Sequence, residues 1–267
     1  MNQSDTPSAA APWPAMSIAQ AHALLTQPGT PFEMDEVLVR GVKTRVWKNT
    51  PPTLRDLLVL GRAHGDKTFV VYEDDRASFE TFTRAALAVA AALTAQGVKK
   101  GDRVALIMRN LPEWPAIFFG ATIIGAIVTP LNAWWTGPEL EYGLVDSGTK
   151  VAFVDAERLE RIAEHLVNCP DLKTIYVSRY HDELPHTIVR RLEDVLGQVN
   201  DWGKLPAGEM PAVALGPEDD ATILKKVETG SIDAVVTSPP YVATYDYLAH
   251  HALRLRWLGL DLSLIHI

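Results

Sequence analysis

The feature that most constrains this chain is the regular alternation of short apolar runs with longer helical segments between residues 68 and 177. Strands separated by helices of 10–15 residues are typical of βαβ units, and such units build parallel sheets. The pattern therefore predicts an α/β fold with a mainly parallel sheet flanked by helices. Strands are predicted at residues 68–72, 103–108, 126–130, 151–155 and 173–177, and helices at 79–96, 112–124, 138–147 and 156–168.

Local signals predict where several of these elements begin and end. Ser17 and Thr53 precede apolar residues at helical spacing, as helix caps do. Gly97 follows a long alanine-rich helix and is a typical left-handed stop. Residues 198–217 are rich in glycine and proline, which predicts a loop.

Composition excludes several classes of protein. The net charge of −8 gives the surface as a whole no attraction for nucleic acid. A single cysteine, Cys169, excludes an internal disulfide framework and a multi-cysteine zinc site, and it suits a reducing, cytoplasmic location. The longest apolar run, residues 117–128, is shorter than the ~20 residues that a membrane span needs. Residues 1–16 are predicted to be a disordered leader.

Glycine spacing excludes two common active-site motifs. No two glycines are separated by a single residue, so neither the dinucleotide-binding G-x-G-x-x-G nor the hydrolase G-x-S-x-G occurs. Residues 143–150 contain Gly, Ser, Thr and Lys, but they join a predicted helix to a strand. A phosphate-binding loop joins a strand to a helix N-terminus, so these residues are read as a helix end.

Five segments, taken together in this order and spacing, carry a specific resemblance. Residues 17–223 resemble the N-terminal part of the AMP-dependent, adenylate-forming acyl-CoA synthetases, so the fold expected is an incomplete N-terminal subdomain of that ligase fold. The segments are YEDDR at 72–76, GVKKGDRVA at 97–105, MRNLPEW at 108–114, GAIVTPLN at 125–132 and WWTGPEL at 134–140.

The resemblance implies a two-step reaction with ATP, Mg²⁺ and CoA. A carboxylic acid, such as a fatty acid, attacks the α-phosphate of ATP and releases pyrophosphate, and the CoA thiol then displaces AMP. Asn132, Trp134 and Trp135 follow a predicted strand, and strand ends in open α/β sheets face the binding crevice. These three residues are therefore candidates for ligand contact, and packing is the alternative role for each.

The resemblance ends after Ile223, where the family has a Ser/Thr/Gly-rich phosphate-binding loop ending in lysine. This chain has LKKVETGS at 224–231 instead, and Glu228 would repel phosphate. The chain is therefore expected to be inactive in adenylation, with no residues assigned to that chemistry. Strands near 173–177 and 219–223 are expected to be exposed sheet edges.

Residues 224–259 resemble the catalytic-motif region of DNA amino-methyltransferases, which modify cytosine N4 or adenine N6. The motif is Thr237-Ser-Pro-Pro-Tyr241, and the resemblance implies S-adenosylmethionine as cofactor. It also implies that Ser238 and the carbonyl of Pro239 accept hydrogen bonds from a flipped base and that Tyr241 stacks on the base, with Pro240 as the remaining residue of the motif. The alternative is a Pro-Pro turn after a strand. From Leu224 to its last residue the chain has four basic and four acidic residues, so this part offers no basic DNA-binding face.

A join between two families within a core strand predicts a chimeric reading frame, because domains normally join at exposed linkers. Residues 260–267 are predicted to be a non-native tail. The alternatives to a truncated ligase are a methyltransferase fragment and a non-catalytic fragment that keeps only the ligase fold. No partner protein is predicted.

Overall fold

The computed structural model describes residues 16–211 apart from residues 40 and 52. They fall within one compact unit, Met1–Leu215. Almost all of the predicted leader, the predicted methyltransferase-like segment 224–259 and the predicted tail 260–267 therefore lie outside the described residues.

The described elements follow the predicted alternation of strands and helices. In chain order they are α1 (Ile18–Leu25), β1 (Met34–Val39), β2 (Val42–Trp47), α2 (Leu54–Arg62), β3 (Thr68–Tyr72), β4 (Asp75–Ser78), α3 (Phe79–Ala95), β5 (Arg103–Ile107), α4 (Glu113–Thr122), β6 (Ile127–Pro130), α5 (Gly137–Ser147), β7 (Thr149–Asp155), α6 (Ala156–Ile162), a 3₁₀ helix (Ala163–Asn168), β8 (Thr174–Ser178), β9 (Val189–Arg191), α7 (Glu193–Leu196) and a second 3₁₀ helix (Val199–Lys204).

The central feature is a five-stranded sheet with the order β6-β5-β7-β8-β9. Every neighbouring pair in it is parallel, which confirms the predicted fold class. Successive residues of a strand point to opposite faces. Val104 and Leu106 of β5 therefore pack with α3 and α4, whereas Ala105 and Ile107 pack with α5 and α6.

Helices α3 and α4 approach each other closely at one glycine. A Cβ atom at Gly120 would lie 2.6 Å from the Cβ of Val89 and 2.7 Å from the carbonyl oxygen of Ala86. Only glycine fits this contact without a shift of the helices. The alanine-rich sequence of α3 serves the same purpose, because small side chains let a neighbouring helix lie close.

The predicted helix boundaries agree with the structure where a local signal exists. The Ser17 and Ser78 side chains accept hydrogen bonds from backbone N–H groups in the first turns of α1 and α3. Thr53 caps α2 in the same way. Gly97 follows α3 with a φ of +77°, the left-handed conformation expected of a stop.

Two predicted segments differ from the structure. The helix predicted at 156–168 is α-helical only to Ile162, and its last six residues wind as a 3₁₀ helix, a common way for a helix to end. The loop predicted at 198–217 begins with a 3₁₀ helix, Val199–Lys204. That turn forms because Trp202 is fully buried in the first core cluster, which draws the chain against α3.

The predicted exposed edge at 173–177 is wrong, because β8 lies inside the sheet between β7 and β9. All five residues of β8 are buried. The short strand β9 was not predicted, nor was the antiparallel β1–β2 hairpin, in which Met34 pairs with Trp47 and Val39 with Val42. The second predicted edge, 219–223, lies outside the described residues.

Candidate functional site

The carboxyl ends of the parallel strands meet at one edge of the sheet, where α/β proteins commonly bind ligands. The chain leaves β5 toward β6 on one side and leaves β7 toward β8 on the other. The strand order therefore reverses between β5 and β7, and a crevice is expected outside such a switch point. The residues that follow β5, β6 and β7 define the candidate site.

Asp155 at the end of β7 connects the loops of this edge. Its side chain caps α6 by accepting a hydrogen bond from the backbone N–H of Arg158 at 3.1 Å. The other carboxylate oxygen accepts from the backbone N–H of Arg109, just after β5, at 3.0 Å. Asp155 thereby fixes the two strand ends on either side of the switch point.

Arg158 is the most buried charged residue of the site, with 1% of its surface exposed. Its Nη1 lies 3.3 Å from Asp155 Oδ2 and 2.9 Å from Glu157 Oε2. Its Nε donates to the carbonyl oxygen of Ala133 at 2.6 Å, which anchors the loop after β6. Its Nη2 is buried and has no hydrogen-bond partner, so both N–H donors of that nitrogen are unused.

The predicted residues Asn132 and Trp134 lie together in this loop. The backbone N–H of Trp134 donates to Asn132 Oδ1 at 3.0 Å, which fixes the turn. Trp134 as a whole is 66% exposed. The guanidinium carbons of Arg109 and Arg158 lie 4.8 Å and 5.7 Å from the ring centroid, within the range of cation–π contact.

The third predicted residue, Trp135, has a structural position. Its half-buried ring packs against the second core cluster and against Gly143 of α5, where an added Cβ would lie 3.1 Å from the ring. Its carbonyl oxygen accepts a hydrogen bond from Arg161 at 3.0 Å. The structure thus brings Asn132 and Trp134 to the open side of the loop and places Trp135 on its packed side.

A second charged cluster at the same edge was not predicted from the sequence. Arg179 follows β8 with a φ of +57° and binds Glu113 at 3.1 Å and Asp75 at 2.9 Å. Its backbone N–H donates to Glu193 at 2.6 Å. Burial opposes the charge of Arg179, but Glu113 and Asp75 outweigh it and raise the pKa of the guanidinium. This cluster joins β4, α4 and α7 to the end of β8.

The chemistry of the site suits a flat ring that carries an anionic group. An exposed indole offers a stacking surface, and the exposed Arg109 beside it offers a positive charge.

Within residues 16–211 as described, no group of three or more His, Cys, Asp and Glu residues is arranged to hold a metal ion. No helix in this part of the chain is long and apolar enough to cross a membrane. The predicted methyltransferase residues Ser238, Pro239, Pro240 and Tyr241 lie outside the described residues.

Several curated proteins are similar to this chain. Long-chain-fatty-acid–CoA ligase FadD13 of Mycobacterium tuberculosis is 32% identical over 153 residues, which are 57% of this chain and 27% of that protein. The 4-hydroxybutyrate–CoA ligase 2 of Metallosphaera sedula is 32% identical over 121 residues, which are 45% and 22% of the two chains. The chain thus spans about a quarter of the length of these relatives.

Solved structures of the same kind share its fold. The anthranilate–CoA ligase AuaEII in complex with anthranoyl-AMP matches with a TM-score of 0.53 and 28% identity, over 61% of this chain and 30% of that one. The N-terminal domain of FACL13 from Mycobacterium tuberculosis, bound to an inhibitor, matches with a TM-score of 0.51 and 26% identity, over 62% and 39%. The AMP-binding enzyme family itself matches residues 60–224. The chain belongs to the AMP-binding enzyme family.

Proposed function

We propose that this chain is the N-terminal part of an acyl-CoA ligase. The proposed reaction joins a carboxylic acid, such as a fatty acid, to AMP from ATP and then transfers the acyl group to CoA, in the cytoplasm. Family membership supports the adenylate chemistry, and relatives named as fatty-acid–CoA ligases support the substrate class. The observation that carries the proposal is the exposed Trp134 ring beside Arg109 at the switch point of the sheet.

In this proposal, Trp134 stacks on the adenine ring of CoA or ATP, and Arg109 faces a phosphate group of the same ligand. Asn132 holds the backbone of Trp134, while Asp155 and Arg158 hold the loops that carry both side chains. Mg²⁺ would neutralise phosphate charge in the complete enzyme. Among the described residues, no group of three or more His, Cys, Asp and Glu is arranged to hold that ion, so none of them is proposed as a Mg²⁺ ligand.

Replacing Trp134 by alanine is expected to weaken the binding of CoA or ATP. Stacking of one base on an aromatic ring contributes about 1–3 kcal/mol, so the dissociation constant should rise roughly 5- to 150-fold. Isothermal titration of both ligands into the full chain measures this. Trp47, also an exposed indole but located on β2, gives the control variant Trp47→Ala. Equal affinities in the Trp134→Ala variant and the unchanged chain would contradict the proposed site.

We propose that this chain does not catalyse adenylation by itself. Adenylation needs backbone N–H groups and a lysine around the β- and γ-phosphates. After Ile223 the sequence has a single glycine and Glu228 where the family's loop has several Ser, Thr and Gly residues. ATP–pyrophosphate exchange with a panel of fatty and aromatic acids should therefore not exceed the blank. Clear exchange would refute this part of the proposal.

We also propose that the chain is a chimera with a join near residue 223. The family match ends at residue 224, where the methyltransferase-like segment begins, which supports this proposal. Amplification of source DNA across the codons for residues 215–235 tests it, and a continuous genomic product with this join would refute it. Methyl transfer from S-adenosylmethionine to DNA tests the methyltransferase alternative, and none is expected because the sequence has no G-x-G turn for that cofactor.

A further inference from the structure

The segment 203–211, here called the strap, is bound to α2 and α3 by arginine side chains. Arg84 donates to the carbonyl oxygens of Gly203 and Leu205, at 2.8 Å and 3.3 Å. Arg62 and Arg55 reach further along the segment. Arg62 donates to Ala207 at 2.6 Å and to Gly208 at 3.1 Å, and Arg55 donates to Pro211 at 3.1 Å.

Glu80 holds two of these arginines in position. Its carboxylate accepts from Arg62 Nε and Nη2, at 2.8 Å and 3.0 Å, and from Arg84 Nε at 2.9 Å. These three residues, Arg62, Glu80 and Arg84, are here called the clasp. The hydrogen bond from Arg62 is the main cause that lowers the pKa of Glu80 below its usual range, so the carboxylate stays charged at neutral pH.

The strap borders an open apolar cavity of about 850 Å³ on the surface of α3. Leu87 and Ala91 of α3 form part of one wall, and Leu205 and Pro206 of the strap form part of the other. Gly208 lies close to the helix, since a Cβ atom there would be 3.2 Å from Leu87 Cδ1. The base of the strap is fixed by Trp202, which is fully buried.

We propose that the strap detaches from and returns to α3 as a unit and that the clasp holds it against the helix. The strap is mostly exposed, and the clasp supplies four of its hydrogen bonds, all charge-assisted, while Leu205 and Met210 add partly buried apolar contacts with the first core cluster. Hydrogen bonds of this kind are about twice as strong as neutral ones, and they are lost together when the central carboxylate no longer holds the arginines. Release of the clasp would expose Leu87, a residue of the first core cluster, while the rest of both clusters stays folded.

Thiol labelling of the full chain tests this proposal with an internal reference. A Leu87→Cys substitution places a thiol beneath the strap, and the native Cys169 is buried in the other core cluster. The labelling rate at position 87 reports strap opening, and the labelling rate at Cys169 reports global unfolding. Glu80→Gln is introduced into this background, and Glu33→Gln, which removes the carboxylate paired with Lys48, is the matched control.

The Glu80→Gln variant should label roughly tenfold faster at position 87 with little change at Cys169, because several hydrogen bonds to charged groups weaken together. Glu33→Gln should leave both rates unchanged. Arg62→Lys keeps the charge but loses the two-point contact with Glu80 and the guanidinium hydrogen bonds to Ala207 and Gly208, so it should also raise the rate at position 87. An unchanged rate at position 87 would overturn the proposal. Parallel rises at both thiols in Glu80→Gln and in Arg62→Lys would also overturn it, because the strap would then open only with the whole fold.

Discussion

Replacing Trp202 by alanine should lower the free energy of unfolding by about 3–5 kcal/mol, the usual cost of truncating a large buried aromatic side chain. Trp202 is fully buried in the cluster that joins α3 and α4 to the sheet. Denaturant unfolding followed by circular dichroism measures the change. A loss below about 1 kcal/mol would show that the second 3₁₀ helix contributes little to the core.

Two substitutions serve as controls for this experiment. Trp134→Ala removes an indole that is largely exposed, so its effect on stability should stay within about 0.5 kcal/mol. Trp202→Phe should be milder than Trp202→Ala, because it keeps most of the buried ring area. It also removes the indole N–H, which is buried without a hydrogen-bond partner and so costs free energy in the native chain.

The second large effect is expected at Arg158. Replacing it by alanine should cost about 3–5 kcal/mol, because Asp155 would keep a nearly buried charge without its cationic partner. The Ala133 carbonyl would also lose its donor, so the loop that carries Trp134 should loosen. Thermal unfolding of the variant measures the stability loss, and CoA titration measures the effect on the loop.

Arg161 provides the matched comparison. It also donates to the loop carbonyls, at Ala133 and Trp135, but its side chain is 29% exposed. Ion pairs of exposed side chains contribute about 0–1 kcal/mol, so Arg161→Ala should cost far less than Arg158→Ala. Similar losses in the two variants would mean that burial of the Arg158–Asp155 pair does not determine its contribution.

Features of the fold with a local cause could be predicted from the sequence. Ser78 and Gly97 mark the ends of α3 because capping and a positive φ depend on a few neighbouring residues. The sheet itself was predictable because helices of sufficient length separate its strands. The strand β9 was not predictable, because its three residues, Val-Arg-Arg, have no pattern typical of a strand. They form a strand because they pair with the neighbouring β8.

The candidate site was predictable only in part, for the same reason. Asn132 and Trp134 could be placed at a strand end from the sequence alone. Arg109 and Arg158 could not be assigned to the same site, because their meeting depends on β5 lying between β6 and β7. Arg179 carried no signal either, since its left-handed backbone is unusual for arginine and its carboxylate partners come from distant segments.

The strand order β6-β5-β7-β8-β9 has a consequence for how the chain can fold during synthesis. β6 joins one edge of β5, β7 joins the other, and β8 and β9 then add outward in turn. When each strand after β5 leaves the ribosome, the strand that it pairs with has therefore already been synthesised. None of these five strands must be inserted between two strands that are already paired. Parallel pairing is slow because it joins distant residues, but this order lets the sheet grow from its N-terminal strands outward, one strand at a time.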